Sequence, residues 1–397
     1  MHKLLPLQAA LLSLVIPASA WAGTEPLRLE PQTLAIASQD VSVRLPRGYR
    51  LEFVTALDSP RLINFAPNGE MFIGSKAGTI YRLRPPYATA TKFAEVGGYP
   101  HSVAFRPGEI LVAKTEGVYR APYQPGQAHL DLSEFKMLAP LPGGGGHTSR
   151  TVSVGPDGRI YLALGIQGNC SDQYIGAGYS FDDQRGGVMV LREEGRPQWQ
   201  PYASGLRNPV GIAWQPKTNT LYASNNGPDH SGYDAPPEYF SRLMPNSFHG
   251  MPWFQVSGTG VERDTCVNSR PPRPIAEVSL PVATFPARSA PMGVAFIPDK
   301  GLEASWHGDA LVAIHGSWGT KPSGGASGDP ATRRPPKIAL VRFDAGKAVR
   351  VDDFLTGFQV ASGERWARPI GVAVAPDGAI YFTSDSGIEG LYRVRRQ

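Results

Sequence analysis

The chain has 397 residues, of which 41% are hydrophobic and 18% are charged, and its formal net charge of +5 is spread along the sequence. Because the basic residues form no run, nucleic acid is not expected as a partner. The 45 glycines and 38 prolines lie at regular turns between apolar runs, which indicates a turn-rich all-β protein and argues against a low-complexity chain.

The N-terminus has the pattern of a secretory signal peptide. Lys3 gives a positive start, residues 4–16 are apolar, and small residues around Ala20 form a cleavage site. The apolar run is too short to span a bilayer, and no longer one follows. We therefore expect residues 1–22 to be a signal peptide, and residues 23–397 to be a periplasmic or secreted protein without membrane insertion.

The two cysteines, Cys170 and Cys266, are interpreted in the light of export. An even number of cysteines in an oxidising compartment favours a disulfide between them. The alternative is a pair of buried free thiols. Two cysteines do not make a C-x-x-C-H haem site, so a haem partner would have to be another protein.

One sequence phrase recurs six times along the chain. Each copy has a run of small or β-branched residues, a turn of the Pro-x-Gly type and an aromatic-rich strand, and so predicts two antiparallel strands across a tight turn. The copies begin at Arg61, His101, Arg150, Val210, Met292 and Ile370. Six such units predict a six-bladed β-propeller that forms one domain over residues 23–397. The strand at 49–57 is expected to close the ring against the last blade.

Polar residues precede the innermost strand of each predicted blade. In a propeller these segments lie at one end of the central channel, so their side chains are expected to converge on one rim. The residues are Arg61, His101, His147, Arg150, Arg207, Arg288 and Arg368. Like charges would repel there unless an anion or carboxylates neutralised them. A small polyanion in the channel mouth accounts for the set better than the alternative, in which these side chains cap the sheets and pair with neighbouring blades.

His147 is the candidate catalytic base. It follows four glycines, Gly143 to Gly146, which add no bulk and let the backbone approach a ligand closely. A neutral imidazole suits proton abstraction near neutral pH. Arg207 and Asn208 precede the next blade, where a guanidinium can bind a planar pair of anionic oxygens in a bidentate manner.

The segment NNGPD at 225–229 is a candidate metal site. Gly227 and Pro228 lie in a turn whose carbonyl groups can point to a common ion, and Asp229 and Glu238 add oxygen ligands nearby. Hard oxygen donors without a Cys or His cluster favour Ca²⁺ over zinc. The alternative is an ordinary Asn-Gly-Pro-Asp loop.

The segment HGSW follows the fifth inner hairpin and contains the remaining candidate. Trp318 is interpreted as stacking on a flat cofactor or a sugar face, with a packed tryptophan as the alternative. Surface or hydrogen-bonding roles are expected for His230 and His249.

The phrases GLRNPVGIAW, NNGPD, AIHGSWGTKPSGG and ARPIGVAVAPDG resemble those of pyrroloquinoline quinone (PQQ) dependent sugar dehydrogenases. The match is to the glucose/sorbosone dehydrogenase group, which includes aldose sugar and pyranose dehydrogenases. The resemblance implies a six-bladed propeller that holds PQQ in its mouth with Ca²⁺ under the quinone, and the three carboxylates of PQQ would neutralise the expected cationic rim.

The resemblance also implies roles for individual residues. His147 matches the catalytic base, Arg207, Asn208 and Arg368 match cofactor contacts, and Gly227 and Pro228 match backbone Ca²⁺ ligands. We add Arg61 and Arg288 as cofactor-binding candidates from their rim positions, and Trp318 from its expected stacking.

Two departures from the family pattern bear on substrate and cofactor binding. Ile166 stands where the soluble glucose dehydrogenases carry an acidic residue, which removes a polar contact to glucose. The cofactor-binding lysine of the family would fall near His315 to Ser317, where no lysine stands. Lys321 is a candidate replacement.

The leading hypothesis is an exported quinoprotein oxidoreductase. His147 takes a proton from a sugar hydroxyl or a hydrated sugar aldehyde, Arg207 stabilises the developing oxyanion, and the electrons leave to a cytochrome or a quinone. Two other classes remain open. One is a Ca²⁺-dependent propeller lactonase, against which the basic rim argues, and the other is a non-catalytic binding propeller.

Overall fold

The computed structural model describes residues 25–258 and 260–397, so the expected signal peptide lies outside the described residues. Before the ring begins, two strands form a hairpin and a third strand follows. These are β1 (Leu29–Ile36), β2 (Gln39–Pro46) and β3 (Tyr49–Ala56). The hairpin packs against the fifth and sixth blades, because its apolar residues share a core with Trp306 and Phe354.

Each of the first three blades has four antiparallel strands, and the sheet of blade 3 gains a fifth, parallel strand from a later part of the chain. Blade 1 comprises β4 (Pro60–Phe65), β5 (Met71–Ser75), β6 (Thr79–Leu83) and β7 (Ala90–Glu95). Blade 2 comprises β8 (Ser102–Arg106), β9 (Glu109–Lys114), β10 (Gly117–Pro122) and β11 (Lys136–Pro140). Blade 3 comprises β12 (Arg150–Val154), β13 (Ile160–Leu164), β14 (Gly187–Arg192) and β15 (Gln198–Ser204).

The fourth blade carries an insertion before its outer strand. Blade 4 comprises β16 (Ile212–Gln215), β17 (Thr220–Asn225), β18 (Glu238–Leu243) and β22 (Ala283–Phe285). Its insertion contains β19 (Ser247–Phe248), which adds to blade 3 alongside β15, and the hairpin of β20 (Phe254–Ser257) and β21 (Gly260–Arg263).

The last two blades complete the ring. Blade 5 comprises β23 (Pro291–Phe296), β24 (Ala310–Ile314), β25 (Lys337–Asp344) and β26 (Lys347–Leu355). Blade 6 comprises β27 (Ala367–Val374), β28 (Ile380–Gly387) and β29 (Gly390–Arg396), with β3 as its outer strand. The predicted ring closure is therefore confirmed, and so is the six-bladed β-propeller.

The described helical segments are single 3₁₀ turns in the connections. They are Leu132–Glu134, Phe181–Asp183, Ile275–Glu277, Ala304–Trp306 and Pro330–Thr332. In the part of the chain that the structure describes, no helix has the length and apolar character needed to cross a membrane.

The six repeats form the inner hairpins. The register of their strands determines which residues lie at the rim of the central channel. The first residue of an inner strand faces the last residues of the second strand, as in the pairs Arg150↔Leu164 and Pro60↔Ser75. The inner strands line a central channel of about 260 Å³. One mouth of this channel is therefore formed by the segments that enter the first strands and those that leave the second strands.

Candidate functional site

The predicted rim residues form a continuous arc of contacts around the channel mouth, which we call the rim arc. Each member of the arc contacts the next one through a hydrogen bond, an ion pair, a ring contact or the backbone of a glycine that both touch. Its members are His315, Asp385, Arg61, Tyr99, His101, Arg150, His147, Arg207, Asp229 and Arg288. Arg368 joins the arc at the main-chain oxygen of His315, 3.0 Å from its Nε.

His147 lies in the arc with one ring nitrogen fixed. Its Nδ1 lies 2.6 Å from the carbonyl oxygen of Ile166, so Nδ1 carries the proton and donates it there. Nε2 is then the unprotonated nitrogen, and no described residue hydrogen-bonds to it. Burial and the charge of Arg207 lower the pKa of His147 to about 4. The imidazole is therefore neutral at physiological pH and able to accept a proton at Nε2.

The last glycine of the run before His147 packs against the protein backbone. At Gly146, φ is +75° and an added Cβ would lie 1.2 Å from the main-chain oxygen of Gln167. The interpretation that all four glycines admit a ligand is therefore wrong at Gly146, where the approaching group is a neighbouring chain segment.

Arg185, which no sequence motif indicated, holds this region together. Its side chain is fully buried and donates to the carbonyl oxygens of Gly165, Gly143 and His147, each at 2.9 Å. The guanidinium thus fixes the backbone of the glycine run, of His147 itself and of the strand end at Gly165. No repeat position marks Arg185, because it lies in the connection between β13 and β14.

Arg207 is buried beside His147 and bound by main-chain and amide oxygens. Its Nη2 lies 3.6 Å from Asp229, and burial lowers the pKa of the guanidinium. Gly165 separates it from the base, since a Cβ there would lie 2.8 Å from the Cβ of His147 and 3.1 Å from the main-chain oxygen of Arg207. The side-chain oxygen of Asn208 is buried without a hydrogen-bond partner, 2.5 Å from that same Cβ position.

Arg288 braces the loop that carries the candidate metal ligands. Its guanidinium donates to the carbonyl oxygen of Pro228 at 3.0 Å, to that of Asp229 at 2.8 Å and to that of Gly232, and it pairs with the Asp229 carboxylate. Arg288 therefore stabilises this loop, and the cofactor contact that the sequence predicted for it stays a prediction.

The other end of the rim arc is organised around Asp385, a second residue that no sequence motif indicated. One carboxylate oxygen pairs with Arg61, and the other lies 2.7 Å from Nε2 of His315. Burial raises the pKa of Asp385, but the hydrogen bond from His315 and the nearby cations outweigh it and hold that pKa well below its ordinary value. Burial in turn lowers the pKa of His315 to about 4.

The rim arc retains positive charge that the protein does not neutralise. Within the described residues, Arg150 and Arg368 of the arc, and Arg185 next to it, have no carboxylate within ion-pair distance. Two nitrogens of Arg150 and one of Arg61 are buried without a hydrogen-bond partner. Burial and the charge of Arg185 lower the pKa of Arg150 to about 9. Unpaired buried donors are costly, so this donor set fits a multiply charged organic anion such as PQQ.

The candidate metal site offers main-chain oxygens more than carboxylates. No described residue donates to the carbonyl oxygen of Gly227, whereas Pro228 shares its carbonyl with Arg288. The carboxylate of Asp229 lies between two guanidinium groups. Glu238 accepts from the main-chain nitrogen of Gly227 at 3.1 Å, and burial raises its pKa to about 7. The loop thus fits a cation only if a bound anion supplies further negative oxygens.

Cys170 and Cys266 are joined by a disulfide in the structure. His230 lies beside the sulfurs, and in the described chain these three residues are the one cluster of His, Cys, Asp and Glu ligand atoms close enough to hold a metal. Because both sulfurs are in the disulfide, this cluster is not a zinc site.

Trp318 and Lys321 lie in the segment that follows β24. Trp318 is 53% exposed, and Lys321 lies over the ring of Tyr233, 5.3 Å from its centroid. His249 is buried and bonds Ser247 at 3.0 Å, in keeping with the hydrogen-bonding role expected for it.

The comparisons with known proteins agree with this fold. The glucose/sorbosone dehydrogenase family model matches residues 113–316. An uncharacterised protein of Borreliella burgdorferi is 22% identical and covers 91% of this chain and 93% of its own length.

Two solved structures illustrate the structural likeness. The PQQ domain of pyranose dehydrogenase from Coprinopsis cinerea has a TM-score of 0.69 at 18% identity, over 90% of this chain and 97% of its own. The aldose sugar dehydrogenase from Escherichia coli in its apo form has a TM-score of 0.63 at 16% identity, over 88% and 100%. With just over half of the chain matched by the family model, this protein belongs to the glucose/sorbosone dehydrogenase family.

Proposed function

We propose that this protein is a periplasmic, PQQ- and Ca²⁺-dependent oxidoreductase that oxidises a sugar hydroxyl or a hydrated sugar aldehyde. The observation that carries the proposal is the neutral His147 in a rim arc where Arg150 and Arg368 lack a carboxylate partner and where Arg150 and Arg61 keep buried nitrogens without hydrogen bonds. Family membership supports sugar oxidation, and the name of the Coprinopsis relative supports PQQ as the cofactor.

The rim arc assigns distinct tasks to its residues. Arg61, Arg150, Arg207 and Arg368 would hold the carboxylates of the cofactor, and the carbonyl oxygens of Gly227 and Pro228 would hold Ca²⁺. When bound, PQQ supplies the acceptor for the substrate hydride, and Ca²⁺ acts as a Lewis acid.

Nε2 of His147 accepts the proton of the reacting hydroxyl, because Nδ1 is committed to Ile166. Arg185 keeps the base in place through the backbone. Ile166 is buried at the position of the acidic residue in soluble glucose dehydrogenases, so we favour a sorbosone, pyranose or broad aldose substrate over glucose alone. The electrons pass to an external cytochrome or quinone.

The test is a titration of apoprotein with PQQ, with Ca²⁺ or with a chelator. We expect tight binding only with Ca²⁺, a quinone absorption band, and reduction of a redox dye on addition of aldoses or a sugar aldehyde. Absence of binding with both ligands supplied would refute the proposal. Binding without oxidation of any sugar would indicate the binding propeller instead.

A further inference from the structure

Arg207 receives two of its contacts from one residue outside the repeats. Its Nε donates to the main-chain oxygen of Asn169 at 3.0 Å, and its Nη2 donates to the side-chain oxygen of the same residue, also at 3.0 Å. Asn169 lies in the connection between β13 and β14. It is neither a rim position nor one of the predicted ligands.

The amide of Asn169 also reaches the candidate metal loop. Its Oδ1 accepts from the main-chain nitrogen of Asp229 at 2.8 Å. One oxygen therefore ties the guanidinium of Arg207 to the segment that carries the Gly227 and Pro228 carbonyls. Because the Arg207 side chain is only 7% exposed, fixed acceptors rather than water determine its orientation.

Asn169 is itself anchored through its neighbour in the chain. The next residue, Cys170, is bonded to Cys266 in the insertion of blade 4, and Nδ2 of Asn169 lies 3.8 Å from the Cys170 sulfur. His230 lies 3.6 Å from that sulfur and 2.7 Å from the buried carboxylate of Asp264. The connection between β13 and β14 is thus anchored at the point where it contacts Arg207.

We propose that Asn169 is a positioning residue that acts through Arg207, its amide oxygen holding the guanidinium in the orientation that binds the anionic cofactor. The inference rests on the proposed function, since PQQ is the anion concerned. Two oxygens of Asn169 already fix the orientation of the Arg207 guanidinium. Cofactor binding therefore costs less side-chain conformational entropy.

A double-mutant cycle tests this proposal. Asn169→Ala removes the amide oxygen and keeps the main-chain acceptor, and Asn169→Ser provides a second variant. We expect Asn169→Ala to raise the Kd for PQQ, measured with Ca²⁺ present, by about tenfold. In the Arg207→Ala background the same change should raise it less than about twofold. Equal effects in both backgrounds would overturn the proposal.

The matched control is Asn68→Ala, which removes two amide hydrogen bonds to Glu70 at the turn of blade 1. Its Kd for PQQ should equal that of the wild type. If the wild type binds no PQQ, the proposed function fails. Urea unfolding of the apoproteins (wild type, the two single variants and the double variant) then tests whether Asn169 acts through Arg207. Non-additive unfolding free energies support the contact, and additive ones overturn it.

Discussion

His147 and Arg207 lie on either side of Gly165, but their roles differ. His147 has no predicted contact to the cofactor carboxylates, so His147→Ala or His147→Gln should leave the Kd values for PQQ and Ca²⁺ within about twofold. Single-turnover reduction of bound PQQ by an aldose should slow by about 10²–10⁴-fold, the usual contribution of positioned proton transfer. Reduction at the wild-type rate would show that His147 is not the base.

Arg207→Ala should weaken cofactor binding and slow single-turnover reduction together. The same guanidinium serves the bound anion and the oxyanion that develops on the substrate. The measurement is the Kd for PQQ alongside the reduction rate at saturating PQQ. A lower rate with an unchanged Kd would remove Arg207 from the cofactor contacts.

The pH dependence of the base follows from its surroundings. A base works only when unprotonated, and the pKa of His147 is lowered to about 4, so its imidazole in the apoprotein should stay neutral as the pH falls from 7 to 5. Arg207→Ala removes a neighbouring positive charge and should raise that pKa. Titration of the His147 ring protons by NMR checks both statements. An ordinary pKa in the wild type would contradict the first.

The sequence predicted the rim residues around the start of the inner strands but not Asp385 or Arg185. The repeat marks this position in each blade, and in the structure Arg61, Arg150 and Arg368 are the first or second residues of β4, β12 and β27. Asp385 lies at the end of the second strand of blade 6, and the hairpin register brings it opposite the lead-in segment. The same logic, applied to the end of each second strand, would have found it.

At the level of elements, the inner hairpins were predictable because their turns have distinctive chemistry. Sequences such as Pro156-Asp157-Gly158 specify a tight turn whatever surrounds them, and alternating strands flank it. The short strands of the blade 4 insertion were not predictable. β19 and β20 have few residues, and packing around the buried Trp253 holds that region in place.

The disulfide joins the connection after β13 to the blade 4 insertion, closing a loop of 96 residues. Replacing both cysteines with serine should lower the unfolding free energy by at most about 4–5 kcal/mol in the chain-entropy model. Urea unfolding of the non-reduced proteins measures this. An unchanged midpoint would mean that the insertion is held by its apolar contacts alone.

At the scale of the whole molecule, the ring is closed by pairing between β29 and β3. Arg393 and Arg395 of β29 also pair with Glu52 of β3. Removing residues 390–397 should therefore abolish cooperative thermal unfolding, because two strand edges lose their partners and the ring opens. A chain that lacks only Gln397 is the control. A sharp transition in the truncated protein, followed by circular dichroism, would contradict this.

The pairing of β3 with β29 joins strands that lie far apart in the sequence. A growing polypeptide makes β3 early, and blade 6 does not form before β29 has been made. Until then β3 lacks its blade 6 partner, and the apolar face of Leu51 and Tyr49 lacks much of its covering. Completion of the ring is thus delayed until β29 has been synthesised, and this delay would suit the proposed export, in which an unfolded chain is threaded through a membrane.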